Sequence, residues 1–157
     1  MILYHGSNVT FDKIDLTKSK HFKDFNRAFY LSADENQANE MATNKADFLG
    51  GTPTVQAYEF DEHLLHDKSL KVKIFDHYCL EWAEFVWNNR DESQNFHHDY
   101  DIVYGPIAND TIGLQMREFR RSHLTLEGFL EGLQYAHGET FQYAFCTEKA
   151  VNKLHKI

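Results

Sequence analysis

The stretch Leu3-Tyr4-His5-Gly6-Ser7 opens the chain, and Asn26-Arg27-Ala28-Phe29-Tyr30-Leu31-Ser32 follows about two dozen residues later. The first stretch is an apolar and aromatic run that meets a glycine, which predicts a short strand ending in a turn. Within the second, Ala28-Phe29-Tyr30-Leu31 is mostly apolar and predicts a central strand. A histidine followed by glycine lets a ligand approach the backbone closely, and an aromatic in the next strand offers a stacking face for a flat heterocycle.

Each of these features has a structural explanation on its own. A histidine followed by glycine is more often a turn, and a Phe-Tyr pair in a strand is more often part of the core. Only the combination of the two stretches favours a binding site.

The composition is that of an ordinary folded protein. The chain has 157 residues, of which 42% are hydrophobic and 25% charged, and its formal net charge is −8. This length predicts one domain spanning 1–157, and this composition excludes disorder as the main state. We expect a cytoplasmic protein outside the membrane, because no window approaches ~18 consecutive apolar residues and no apolar leader follows Met1. The two cysteines, Cys79 and Cys146, imply no disulfide framework.

The charge is unevenly distributed along the chain. Residues 31–110 carry five Lys or Arg against sixteen Asp or Glu, whereas residues 1–30 carry five against three. An acidic central segment repels phosphate backbones, which disfavours extended binding to DNA or RNA. The mildly basic N-terminal segment can still accommodate a small anionic ligand.

The order of predicted elements favours an α+β fold. Ser32-x-x-Glu35 is a capping-box pattern that predicts a helix beginning after Ser32, and Gly50-Gly51 predicts its end. Further strands are predicted at 54–60, 102–104 and 141–146, and further helices at 76–89, at 125–135 and after Thr147. Strands and helices are mixed without a regular βαβ rhythm, which argues against a doubly wound fold.

The two opening stretches together resemble the first-strand and second-strand motifs of ADP-ribosyltransferases of the diphtheria-toxin and poly(ADP-ribose) polymerase type. Over residues 2–154 the chain is similar to DUF3990, a small bacterial family of ADP-ribosyltransferase-like domains. Further matching stretches lie at 23–25, 37–38, 100–110 and 142–150. The resemblance implies an α+β fold of two packed, small, curved sheets with flanking helices and an NAD cleft between them.

The resemblance also implies roles for individual residues. His5 is expected to hydrogen-bond the adenosine-side ribose of NAD, the backbone of Gly6 to hold the nicotinamide amide, and Ser7 to add a hydroxyl contact. Tyr30 is expected to pack against the nicotinamide ring. Arg27 is a candidate for the pyrophosphate because a guanidinium matches phosphate oxygens; the alternative is a solvated charge at a strand edge.

The third position of this superfamily is usually a glutamate that holds the nicotinamide-ribose 2′-hydroxyl, and the matching strand here offers Gln142. A neutral amide can bond that hydroxyl but cannot act as a general base, so mono-transfer is expected rather than chain elongation. Glu139 lies three residues away and is predicted on the opposite strand face. Met41 stands where a second stacking aromatic is expected, and Asn26 and Ala28 stand where glycines usually lead into the Tyr strand.

The resemblance therefore implies an NAD-dependent mono-ADP-ribosyltransferase that uses NAD as substrate, with His5, Tyr30 and Gln142 as its triad. Families of this kind are often toxins of bacteria or mobile elements, so a protein acceptor rather than nucleic acid, and an antitoxin partner, are expected. Two alternatives remain open. One is a module that binds NAD, ADP-ribose or a protein partner without turnover, and the other is an NAD glycohydrolase.

Two histidine-containing stretches invite a metal interpretation, His63-x-x-His66 and His97-His98-Asp99. Neither is accompanied by a third clustered Cys or His at ligand spacing, so we predict no metal site. Cys79 and Cys146 have apolar neighbours and are predicted to be buried thiols rather than nucleophiles.

Overall fold

The computed structural model describes residues 1–109, 111–133 and 140–157. Within this part of the chain the fold is mixed α+β, with two small sheets and five α-helices. The strands are β1 Ile2–Ser7, β2 Phe29–Leu31, β3 Thr54–Glu59, β4 Val72–Ile74, β5 Ile102–Pro106, β6 Phe141–Phe145 and β7 His155–Lys156. The helices are α1 Glu35–Leu49, α2 Leu80–Arg90, α3 Ile112–Arg120, α4 Leu126–Gly132 and α5 Glu148–Val151. Short 3-10 helices lie at Leu16–Lys18, Glu62–Leu65 and Glu92–Gln94.

Among the described residues, one isolated backbone bridge joins the two sheets. The three-stranded sheet has the order β1-β3-β7, and the four-stranded sheet has the order β2-β6-β5-β4, antiparallel except for the β4–β5 pair. Tyr4 in β1 and Ser32 just after β2 exchange two backbone hydrogen bonds of 2.7 and 2.9 Å. This bridge brings the first strand of one sheet beside the first strand of the other.

The four-stranded sheet is covered on both faces, because alternate residues of a strand point to opposite sides. On β6, Ala144 faces a hydrophobic cluster that includes Phe25, Trp82 and Phe129. Phe145, the next residue, faces a second cluster, whose members include Leu3, Tyr58, Phe60 and Leu154. Helices α2, α3 and α4 supply the first cluster, and the three-stranded sheet and α5 supply much of the second.

Most predicted elements are confirmed, with shifts at their ends. Thr147 caps α5 as predicted, since its hydroxyl accepts a hydrogen bond from the Ala150 amide. Gly50 ends α1 with a φ of 78°, a left-handed conformation that favours glycine. Residues 134–135 of the helix predicted at 125–135, and Glu139, lie outside the described residues.

The predicted capping box at Ser32 is wrong. The N-cap of α1 is Asp34, whose carboxylate accepts a hydrogen bond from the Asn36 amide. The Ser32 hydroxyl accepts from the Asp34 amide instead and donates to the Gln37 side chain. Two overlapping cap sequences compete here, and the backbone bridge from Ser32 to Tyr4 keeps Ser32 extended, so the helix begins later.

Helix α1 packs directly across β1 because Gly6 has no side chain. A Cβ atom at Gly6 would overlap the carbonyl oxygen of Ala38 and lie 2.9 Å from the Ala42 amide nitrogen. Both neighbours are backbone atoms of α1, so they cannot move aside as a flexible side chain would. The glycine of the first motif therefore has a packing role that is independent of any ligand.

We expect Gly6→Ala to lower the free energy of unfolding by roughly 3 kcal/mol, because overpacking against a helix backbone forces β1 and α1 apart. Urea denaturation measures this loss. The control is Gly128→Ala in α4, where the added methyl group meets only the Thr125 hydroxyl at 3.3 Å and the stability should change little. A Gly6→Ala protein as stable as the wild type would contradict the close packing.

Candidate functional site

His5 sits at the junction of the two sheets as a neutral imidazole. Its Nδ1 lies 2.7 Å from the backbone oxygen of Tyr30, and its ring stacks on Phe29 with 4.2 Å between the ring centroids. A carbonyl oxygen can only accept, so Nδ1 must carry the proton. Burial lowers the pKa of His5 to about 4, which keeps the ring uncharged at neutral pH. Its Nε2 is then a bare acceptor that has no hydrogen-bond partner among the described residues.

The backbone of Gly6 faces away from the β3 partner strand. Alternate residues of an antiparallel strand direct their backbone polar groups to opposite sides, and Tyr4 directs its groups to Ser32 rather than to β3. Gly6, two residues later, shares the direction of Tyr4. The Lys45 ammonium group on α1 donates to the Gly6 carbonyl oxygen over 2.8 Å.

Tyr30 is anchored by both its hydroxyl group and its ring. The hydroxyl donates to the Asn26 oxygen at 2.6 Å and accepts from the Phe25 amide at 3.0 Å. Burial, followed by the nearby Asp24 charge, raises the pKa of Tyr30 well above its usual value. The Lys23 ammonium lies over the ring, 5.0 Å from its centroid. One face of the Tyr30 ring therefore already holds a cation.

Gln142 lies on the same sheet face as Tyr30 and contacts a carboxylate. Tyr30 pairs with Ala144 across the β2–β6 ladder, and Gln142 is two residues from Ala144. The Gln142 side-chain nitrogen donates to Asp24 Oδ2 over 3.1 Å. Asp24 is 8% exposed and also accepts from Arg90 Nε at 2.7 Å, with which it forms an ion pair. Because an ionised carboxylate only accepts, Gln142 must turn its NH2 group to Asp24, which leaves Oε1 as its one acceptor for a ligand.

The other predicted binding residues lie around this centre without contacting each other. Arg27 donates through Nε to the Ser19 backbone oxygen over 3.1 Å. Ser7 is buried, and its hydroxyl accepts from the Val9 amide. Met41 lies on α1 with nearly half of its side chain exposed. The roles predicted for these residues stay predictions.

The structure thus places His5, Tyr30 and Gln142 on neighbouring strands. The His5 ring stacks on Phe29, whereas the Tyr30 and Gln142 side chains lie on the opposite face of the β2–β6 pair. The structure also identifies further residues near these positions. It adds four residues to which the sequence analysis gave no role: Lys23, Asp24, Lys45 and Arg90. Asp24 and Arg90 are 66 residues apart in sequence, so no local pattern could join them. Lys23 and Asp24 belong to a stretch that carries the family resemblance, which was the one available signal.

Two cavities have linings that include none of His5, Tyr30 and Gln142. One, of about 380 Å³, is lined by Met1, Glu59–His63 and His155, and the other, of about 280 Å³, lies beside Ser32, Gln37 and three aromatic rings. Among the described residues, no three His, Cys, Asp or Glu side chains come together as metal ligands. None of the described helices is long and apolar enough to cross a bilayer.

The fold is mixed α+β, and a neutral histidine, a partly buried tyrosine and a glutamine lie on neighbouring strands near two partly buried lysines. The chain belongs to the DUF3990 family, described as a protein of unknown function, whose family model matches residues 1–156. No curated protein and no solved structure matches the chain significantly.

The neutral state of His5 makes stability depend on pH. The unfolded chain takes up a proton on His5 near pH 6.5, whereas the folded chain resists it until about pH 4. The His5 contribution is therefore fully present above pH 6.5 and is lost between pH 6.5 and 4, by up to about 3 kcal/mol. His5→Asn keeps an N–H donor for the Tyr30 oxygen and does not titrate, so its urea midpoint should fall less over this range.

The matched control for that pH series is His155→Asn, a change at an exposed histidine of β7. It should follow the wild-type pH dependence. A His5→Asn protein that loses as much stability as the wild type between pH 6.5 and 4 would contradict a neutral, buried His5.

Gln142→Glu is expected to destabilise the protein by roughly 2 kcal/mol at pH 7, because it sets a second carboxylate against the buried Asp24. The control is Gln94→Glu, since Gln94 donates to Asp91 over 3.3 Å in the same way but is exposed, and water screens the repulsion there. The double variant Asp24→Asn/Gln142→Glu moves the negative charge from residue 24 to residue 142. Its loss of unfolding free energy should be smaller than the sum of the losses in the two single variants. Additive effects in urea denaturation would show that the two side chains are not coupled.

Proposed function

We propose that this protein is an NAD-dependent mono-ADP-ribosyltransferase. The observation that carries the proposal is that His5, Tyr30 and Gln142 lie on three neighbouring strands, β1, β2 and β6, that are far apart in sequence. These are the three positions that the resemblance to ADP-ribosyltransferases singles out. The free acceptor on each of His5 and Gln142 supports the proposal, because ribose hydroxyls are donors.

In the proposed reaction the N-glycosidic bond of NAD breaks, its electron pair leaves with nicotinamide, and an acceptor nucleophile bonds to the ribose carbon while its proton passes to water. His5 Nε2 accepts from a hydroxyl of the adenosine ribose. Gln142 Oε1 accepts from the 2′-hydroxyl of the other ribose and so fixes the reacting carbon. Positioning of this kind contributes to the rate by holding the reacting groups in place.

Tyr30 supports the proposal through the cation that it already binds. Its ring face attracts the Lys23 ammonium group, and the nicotinamide ring of NAD is a flat cation that the same face would attract. Nicotinamide binding at this face requires Lys23 to move aside. The Tyr30 hydroxyl donates a hydrogen bond to the Asn26 oxygen and accepts one from the Phe25 amide, and these bonds hold the ring while that exchange takes place.

Gln142 also sets the kind of transfer that we propose. An amide cannot take a proton from an incoming hydroxyl, so a second ADP-ribose unit would not be activated and the product stays a single unit. The acidic segment 31–110 repels polynucleotides, which favours a protein acceptor. The resemblance further suggests a toxin or effector that an antitoxin restrains.

A second candidate is a module that binds NAD or ADP-ribose without turnover. Its specific support is the state of the polar groups around Tyr30. The Tyr30 hydroxyl and the Gln142 amide nitrogen are both engaged within the protein, and Asp24 is neutralised by Arg90. In that case no free carboxylate stabilises the positive charge that develops when the glycosidic bond breaks.

The test is incubation with labelled NAD in cell lysate, in which nicotinamide release and label transfer are followed together. We expect the wild type to label a discrete protein and Tyr30→Ala to label none. We expect His5→Asn, which lacks an acceptor at the position of Nε2, to bind NAD about 10-fold more weakly. His155→Asn serves as the control for the histidine substitution.

Each result of this experiment separates the candidates. Release without label transfer would show hydrolysis rather than transfer. Calorimetric NAD binding without release would establish the binding module. Neither binding nor release by a folded wild type would overturn the proposed function.

A further inference from the structure

We infer that Lys23 and Lys45 form a diphosphate-binding site beside His5, a role that the sequence analysis had predicted for Arg27. The inference deepens the proposed function, on which it rests for the identity of the ligand as a dinucleotide. The ligand class is a diphosphate diester such as that of NAD or ADP-ribose.

The two ammonium groups lie close to residues that adjoin His5. Lys45 Nζ lies 2.8 Å from the Gly6 oxygen, and Lys23 Nζ lies over the Tyr30 ring. Gly6 and Tyr30 flank the His5 hydrogen bond, so both lysines surround the same point of the sheet junction. Each ammonium has three donors, and Lys45 uses one of them for the Gly6 oxygen.

The two lysines form no ion pair with a carboxylate in the described part of the chain. Within the described ranges, neither Lys23 nor Lys45 has a carboxylate oxygen within 4 Å, although the chain carries a net charge of −8. Asp24 follows Lys23 directly in the sequence, but it already forms an ion pair with Arg90. Partly buried lysines without a counter-ion are costly, and a bound anion would remove that cost.

The ammonium groups of Lys23 and Lys45 also repel each other. Burial, and after it the Lys23 charge, lowers the pKa of Lys45 to about 8. Burial and the Lys20 charge lower the pKa of Lys23, and Asp24 opposes this only in part. His5, the other titratable group at the junction, stays neutral and adds no positive charge at neutral pH. A doubly negative ligand would stabilise the charged form of both lysines.

Arg27 fits the role less well than these two lysines. Its Nε donates to the Ser19 oxygen, which holds the guanidinium within the loop that precedes β2. Within the described part of the chain, Arg27 makes no hydrogen bond to His5 or Lys45, whereas Lys23 and Lys45 both lower the pKa of His5. The cluster therefore centres on the lysines.

The test is calorimetric binding of ADP-ribose and of inorganic pyrophosphate, with nicotinamide as the probe that lacks a phosphate. We expect Lys23→Met and Lys45→Met each to weaken ADP-ribose binding by ~10-fold or more, because each removes a charge-assisted hydrogen bond. Methionine keeps most of the aliphatic chain, and a thermal melt of each variant checks that it folds. The control is Lys153→Met, an exposed lysine near the C-terminus.

A pH series adds a readout that a purely structural role would not move. The diphosphate of ADP-ribose stays ionised from pH 7 to 9, so the wild-type affinity should fall as Lys45 loses its proton near pH 8. Lys45→Arg keeps its charge throughout this range, so it should bind ADP-ribose with little change in affinity up to pH 9.

The outcomes separate this inference from the proposed function. Lysine-dependent binding of ADP-ribose without nicotinamide release from NAD would support the site and overturn the transferase. NAD cleavage that neither lysine variant changes would support the transferase and overturn the diphosphate site. No binding of ADP-ribose by the folded wild type, or a loss confined to Arg27→Met, would overturn the diphosphate site.

Discussion

The hydrogen bonding between β1 and residues 30–32 is the constraint on which the candidate site depends. Two backbone bonds join Tyr4 to Ser32, and the His5 imidazole adds a third bond to the Tyr30 oxygen. This seam places His5 beside β2, and β2 pairs with β6, the strand that carries Gln142. The seam is short, so its strength depends on the helix α1 that packs across it through the bare backbone of Gly6.

The sequence predicted this seam only in part. The apolar and aromatic runs predicted strands at 2–5 and 28–31, and Gly50 predicted the end of α1. The turn predicted at Gly6 is wrong, because β1 continues through Gly6 to Ser7. β4 and β7 were missed because they have three and two residues, too few for a periodic pattern to form. Helix α3 was missed as well, although it buries Ile112 and Met116, four residues apart as a helical face requires.

The residues around His5, Tyr30 and Gln142 illustrate a different limit. The family resemblance singled out these three positions, whereas the local patterns at His5 and Tyr30 were equally typical of a turn and of core packing. The Asp24–Arg90 ion pair joins a loop before β2 to the last turn of α2, and the Gln142 contact with Asp24 spans 118 residues. Such contacts depend on tertiary packing, so the spacing of residues along the sequence does not predict them. The buried pair needs its partners, because a carboxylate left alone in that position would be strongly destabilising.

The structure also gives a physical context for Gln142. The glutamate that is usual at this position in the resembled superfamily carries a negative charge, and Gln142 does not. In three dimensions a carboxylate is present, but it belongs to Asp24, which accepts a hydrogen bond from the Gln142 side-chain nitrogen. Asp24 therefore fixes the orientation of the amide, and Arg90 balances the charge of Asp24. A glutamate at position 142 would therefore meet an occupied anionic position, which is a physical reason for a neutral residue here. Two further positive charges act on His5: Lys23 lies over the Tyr30 ring and Lys45 donates to the Gly6 oxygen, and both help to keep the imidazole neutral by lowering its pKa.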